Sequence, residues 1–261
     1  MSNEPQRTRR SQRILLRVLC GKVQMEPQPG PGQRRREKIM AEEKRAKLYL
    51  AGPEVFLPDA VEKAREQQAL CARYGFIGLH PIDNNIDVQE RDPTQILEIY
   101  RAIRLFRGDV HALLVRFSTD ALLSALKIYM GDIHQIYQCD IVVANCNPFR
   151  GALIDDGTAY ELGFGNALGK PSYGYIDQMI PAVENIVKRY PCTIREDGVP
   201  VDQDGYLVVD DFGTAINLMM QCGMLMSGGR LIEGNFEHCL QAIRADLDSG
   251  TLRLPREAAD R

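Results

Sequence analysis

Three carboxylates crowd one short stretch of this 261-residue chain, Asp155-Asp156-Gly157-Thr158-Ala159-Tyr160-Glu161-Leu162-Gly163. Carboxylates placed close together can stabilise a developing cation, move a proton or attack an electrophilic carbon. Asp155 and Asp156 also suit the first turn of a helix, where an acid complements the macrodipole and caps free N–H groups. Glu161 fits that second role less well. It stands about one turn further in, close to Gly163 and Gly165. A glycine inside a helix costs about 1 kcal/mol relative to alanine and lets a ligand or another backbone come near. That cost points to a reason other than stability, and spacing alone does not name it.

The elements around these acids say where they would sit. Ile141 to Ala144 is a β-branched apolar run bounded by polar residues, the pattern of a buried strand. Pro148 and Gly151 break the chain into a loop, and a helix is expected to begin near Gly157, capped by Asp156 or Thr158. Gly169-Lys170-Pro171 ends it, and Ser172 to Ile176 reads as the next strand. Strand, loop, helix and strand form the unit of a parallel α/β sheet, and such sheets bind ligands beyond the carboxyl ends of their strands. The three acids lie there.

Upstream, Lys47 to Ala51 reads as the first strand and ends at Gly52-Pro53. A helix from about Pro58 to Tyr74 is closed by Gly75, and Phe76 to Leu79 reads as the second strand. Tyr49 and Phe56 suit a core on composition alone. Asn84 and Asn85 belong to a turn that follows Pro81. Helical periodicity runs over Ile96–Arg107 and again over Ala121–Tyr137. Downstream, 177–190 reads as a loop and a helix, and 192–209 as a small hairpin with turns at Asp197-Gly198 and Asp204-Gly205. Two further helices are expected over about 214–224, its methionines serving as flexible core filling, and about 233–247.

Composition narrows the class. An apolar fraction of 44% and a charged fraction of 26% describe a globular chain. A net charge of −3 argues against a nucleic-acid binder. No apolar run approaches the roughly 18 residues of a membrane span. Seven cysteines without a CxxC pair, and four histidines without a cluster, argue against a zinc site. The odd cysteine count fits a reducing compartment, and a cytoplasmic location is expected. Residues 1–45 are rich in Arg, Gln and Pro, and read as a disordered basic leader. It is expected to do nothing, with translation starting at Met40; a transit peptide or a basic arm are the functional alternatives.

The signature D-x-G-T-A-x-E-x-G, present here from Asp155 to Gly163, resembles that of the nucleoside 2-deoxyribosyltransferase family. The strand from Lys47 to Phe56, the pair Gly131-Asp132-Ile133 and Cys139-Asp140-Ile141, and the late Asn217-Leu218-Met219 resemble three more of its motifs, in the right order. The resemblance runs from about Lys47 to about Leu247. It is interrupted over 99–129, where an excess of about 25 to 30 residues exceeds a normal loop. Either Asp109 or Asp132 could be the family's acid there. Asp132 is preferred, because its eight-residue distance to Asp140 matches the family.

The resemblance implies a three-layer, doubly wound, flavodoxin- or Rossmann-like α/β domain over 46–250, with a parallel sheet of about five strands and a tail over 251–261. It implies deoxynucleoside and free nucleobase substrates, without metal or organic cofactor, and without nucleic-acid or membrane partners. Glu161 would attack C1′ of the sugar, Tyr49 would hold Glu161, and Asp132 and Asp155 would bond the base and handle its proton. Phe56, Asn85 and Gly157 would contact substrate. Asn217 would reach the site of a neighbouring subunit, so a homo-oligomer is expected. Two other readings stay open. One is a hydrolase of deoxynucleoside 5′-monophosphates, disfavoured because Glu54 in the first loop would repel a phosphate. The other is a nucleotide-binding module without turnover.

Overall fold

The computed structural model describes residues 45–84, 120–208 and 212–254. All but the last residue of the basic leader, Asn85, Asp109, most of the 99–129 excess and the end of the tail lie outside the described residues. Five strands build one parallel sheet: β1 (Lys47–Ala51), β2 (Ile77–Leu79), β3 (Ile141–Asn145), β4 (Ser172–Ile176) and β7 (Leu231–Glu233). Their order is β2-β1-β3-β4-β7, and every neighbouring pair is parallel. This is the flavodoxin-like order, and the direction of winding reverses between β1 and β3.

The three central strands are buried almost from end to end. That is why they read as continuous apolar runs rather than alternating ones. Alternation survives instead as a choice of face. Tyr49, Ala51, Val142 and Ala144 point into one core, closed by Ile133 and Ile136 of α2 (Asp120–Gln138), Leu162 of α3 (Asp156–Ala167) and Met224 of α5 (Leu218–Met226). Leu48, Leu50, Ile141, Val143 and Tyr173 point into the other. That core is closed by Cys71 of α1 (Ala60–Arg73) and by Cys239, Leu240 and Ile243 of α6 (Phe236–Asp248). Helices on both faces of a parallel sheet make three layers. Asp140 fastens the amino ends of β1 and β3, its carboxylate accepting from the Lys47 N–H at 2.8 Å.

Some boundaries differ from the sequence expectation. The run from Glu233 to Leu247 is not one helix: β7 pairs with β4, and α6 starts after Asn235. Asn235 caps it by accepting from the His238 N–H, while the His238 ring accepts from the Asn235 N–H. His238 is therefore explained as a capping partner. The hairpin forms as β5 (Cys192–Ile194) with β6 (Pro200–Asp202), antiparallel, and α4 (Ala182–Arg189) precedes it. Gly198 and Gly205 take the positive φ that its turns require.

Candidate active site

A cleft of about 610 Å³ opens beyond the carboxyl ends of the sheet strands. Its wall includes Phe56, Asn84, Asp132, Asp155, Gly157 and Glu161. Four elements supply these residues: the turn after β1, the turn after β2, helix α2 and the start of α3. Chain reversal between β1 and β3 leaves such a crevice in any doubly wound sheet. Asn217 does not line it; it is exposed and caps α5, accepting from the Met219 N–H at 3.0 Å.

Asp155, rather than Asp156 or Thr158, caps α3. One of its oxygens accepts from both the N–H and the hydroxyl of Thr158, at 2.9 and 3.0 Å. Gly157 keeps that carboxylate open on its near side, since a Cβ there would stand 3.0 Å from the same oxygen. The two glycines after Glu161 have different explanations. A Cβ at Gly165 would come within 2.6 Å of Val142 on β3, so that glycine lets the helix lie close on the sheet. Gly163 is exposed, with nothing within 4 Å of an added Cβ. Close helix–sheet packing sets the depth of Glu161, and Gly165 answers the cost noted in the sequence.

Tyr49, fully buried on β1, donates to Glu161 at 2.5 Å. Burial, followed by the nearby Glu161 charge, holds this phenol far above its ordinary range, so it stays a donor. Burial also pushes the Glu161 carboxyl up to about 8; the Tyr49 hydrogen bond opposes this, and the charges of Asp132 and Asp155 add to it. Asp132 is pushed up to about 7 by burial, opposed by its hydrogen bond from Asn84. That bond is 2.6 Å long, and Gln135, one turn beyond Asp132 on α2, donates to the Asn84 carbonyl at 2.6 Å. Two carboxyls that change charge near neutral pH, beside a fixed phenol donor, can exchange protons with a substrate and can stabilise positive charge on it.

A profile described as nucleoside 2-deoxyribosyltransferase matches residues 48–106 and 110–219, which include Tyr49, Asp132, Asp155, Glu161 and Asn217. The chain belongs to this family. An uncharacterized protein of Schizosaccharomyces pombe is 28% identical over 218 residues, covering 77% of this chain and 90% of that protein. Among solved structures, a 2-desoxiribosyltransferase from Leishmania mexicana is 25% identical, with a TM-score of 0.49 over 77% of this chain and 97% of its own. A 2-deoxyribosyltransferase from Bacillus psychrosaccharolyticus is 20% identical, with a TM-score of 0.33 over 51% of this chain and 74% of its own.

Sequence reasoning passed over several residues around this cleft. Asn84 holds Asp132; its neighbour Asn85, the expected base contact, lies outside the described residues. The i, i+3 spacing of Asp132 and Gln135 was the available signal. Phe56 is not core: its ring is more than half exposed and stacks on Phe149 at 5.4 Å between centroids. Glu54 is turned inward instead of facing the cleft. One of its oxygens accepts from Gln67 of α1, Asn145 of β3 and Tyr175 of β4, at 3.1, 2.9 and 2.7 Å. Glu54 is buried and does not line the cleft, so it presents no carboxylate to a phosphate bound there. Among the described residues, no cluster of three or more His, Cys, Asp or Glu is arranged to hold a metal ion. Nor is any helix there long and apolar enough to cross a membrane.

Proposed function

We propose that this chain transfers 2-deoxyribose between nucleobases, with retention, through a covalent intermediate on Glu161. The observation that carries the reading is the Tyr49–Glu161 hydrogen bond at the floor of the carboxylate-lined cleft. Glu161 in its ionised form attacks C1′; the C1′–oxygen bond forms as the C1′–nitrogen bond breaks. Its charge stabilises the oxocarbenium-like transition state. Tyr49 supports the ionised form by donating to it. The electron pair of the broken bond leaves with the base, which takes a proton from Asp132; a carboxyl titrating near 7 can both give and recover a proton under neutral conditions. Asp155 bonds the base. A second base then attacks C1′ from the same side, returns its proton to Asp132 and releases Glu161.

Phe56 supports stacking of the base, and Gly157 supports its close approach. Asn85 keeps the substrate contact implied by the resemblance. Asn217, exposed at the start of α5, is available to a neighbouring subunit, so the assembly proposed is a homo-oligomer. Deoxynucleosides and free bases are the substrates, and salvage of nucleosides in the cytoplasm is the physiological role proposed.

Chromatography of purified protein with deoxyinosine or thymidine, with and without adenine, tests the reading. New deoxyadenosine that requires adenine supports transfer. Base release at one rate regardless of acceptor marks a hydrolase. Tight nucleoside binding with no turnover marks a binding module.

A further inference from the structure

The turn that follows β1 is a partition. Gly52, Val55 and Phe56 line the cleft. Glu54 stands among them in sequence but lines a separate cavity of about 750 Å³, walled by α1 and α6, together with Gln67, Asn145, Tyr175 and Phe236. The turn itself is a four-residue 3₁₀ helix, Pro53–Phe56, and so short a piece has little of its own to hold it in place. The Leu57 N–H closes it on the Glu54 carbonyl at 3.1 Å, and Gly52 brings no side-chain cap.

Tertiary contacts hold it instead. One oxygen of Glu54 gathers Gln67 from α1, Asn145 from β3 and Tyr175 from β4. The other lies against Gly52, where an added Cβ would collide with it. The donors are themselves held. Burial, and then the Glu54 charge, keep the Tyr175 phenol far above its ordinary range, so it stays a donor. The side-chain carbonyl of Asn145 accepts from the N–H and the side chain of Asn147, each at 3.0 Å. Among the described residues no cation pairs with Glu54; Lys63, which lines the same cavity, is paired with Glu66. A buried charge met by neutral donors alone is a poor source of stability, since apolar side chains in such places are often as stable. What the arrangement supplies is a single geometry: donors from three elements converge on one oxygen and fix where the turn stands. Phe56 follows two residues later, with its ring more than half exposed, so its own packing does little to place it.

We infer that Glu54 is a positioning residue of the transfer reaction: without touching substrate, it sets the place of the turn that carries Phe56 to the base. The inference rests on the deoxyribosyl-transfer reading and on stacking of the base against Phe56.

Glu54→Gln keeps the shape and removes the charge that three donors share. Tyr175→Phe removes one donor from the far side of the partition and leaves the turn's own residues intact. Thermal melts establish which variants remain folded. The measurement is a double-mutant cycle with Phe56→Ala, read as kcat and KM for deoxyinosine with adenine as acceptor. Loss of a stacking ring should raise KM about tenfold in Phe56→Ala. Glu54→Gln should raise KM about fivefold with kcat nearly unchanged, and should add no further loss once Phe56 is alanine. Tyr175→Phe should show the same pattern more weakly, and it carries the cycle if Glu54→Gln does not fold. Neither Glu54 nor Tyr175 lines the cleft, so the pH dependence of kcat/KM should keep its position in both variants. A merely structural acid would lower the melting temperature and leave KM alone. That result overturns the proposal, as does a displaced pH profile, or a loss that adds fully to that of Phe56→Ala. Should the unaltered protein turn over no donor, the transfer reading falls. Calorimetric binding of deoxyinosine to the same variants then decides the role of Glu54. Additive losses of affinity overturn it, and so does an absence of binding to the unaltered protein.

Discussion

Tyr49→Phe isolates the contribution of one hydrogen bond to Glu161. The ring is fully buried, and phenylalanine fills the same space, so packing is preserved while the donor to Glu161 at 2.5 Å is lost. With the Glu161 carboxyl at about 8, roughly one-tenth of it is ionised at pH 7. A hydrogen bond to a charged group contributes about 1.5–3 kcal/mol, equivalent to roughly one to two pH units in the titration of its acceptor. Loss of the bond therefore moves ionisation of Glu161 upward and lowers the reactive fraction at pH 7 by about 10- to 100-fold. The assay is kcat/KM for deoxyribosyl transfer from pH 5.5 to 10, which reports the free enzyme. The variant-to-parent ratio should be lowest at and below neutrality and climb toward one as pH rises past the displaced titration. A deficit of the same size at every pH would refute the argument, because Tyr49 would then act by something other than support of the carboxylate's charge. An undiminished rate at pH 7 would refute it outright.

Glu161→Gln should abolish transfer and also alter the pH dependence of stability. The folded-state carboxyl at about 8 lies above an unfolded value of about 4.3, so the folded protein holds a proton that the unfolded chain has lost between these limits. That contribution is present below the unfolded value and is lost as pH rises through about 8; the melting temperature of Glu161→Gln should thus gain on the parent between pH 5 and 8.5. Asn84→Ala removes a hydrogen bond that favours the ionised form of Asp132, and should move the basic limb of the kcat/KM profile up by about one pH unit. Gly165→Ala should lower unfolding free energy in urea by about 1–3 kcal/mol, since the added methyl meets Val142 on a central strand.

The central strands were legible because burial on both faces leaves its mark on every residue. Ile141 to Ala144 and Ser172 to Ile176 needed no partner to be recognised. β7 carried no such mark. Leu231-Ile232-Glu233 is three residues long, grades from buried to exposed, and becomes a strand through its pairing with β4. The cap of α3 is Asp155 instead of the expected Asp156 or Thr158 for a related reason. Asp155, Asp156 and Thr158 are all competent caps, and backbone geometry at Asp155 selects among them.

By itself the sequence determined the parallel α/β architecture, the position of the acids beyond a strand end and the family motifs that name Tyr49, Asp132, Asp155 and Glu161. These are carried by local composition and short-range order. Tertiary structure alone decided what each acid experiences. Tyr49 meets Glu161 across 112 residues of chain, Asn84 meets Asp132 across 48, and Tyr175 meets Glu54 across 121. Whether a carboxylate is buried in a wall, like Glu54, or set in a cleft with its proton affinity raised, like Glu161, depends on which distant donors and apolar groups surround it. Desolvation and hydrogen bonding act over a few ångströms of space, without regard to separation along the chain.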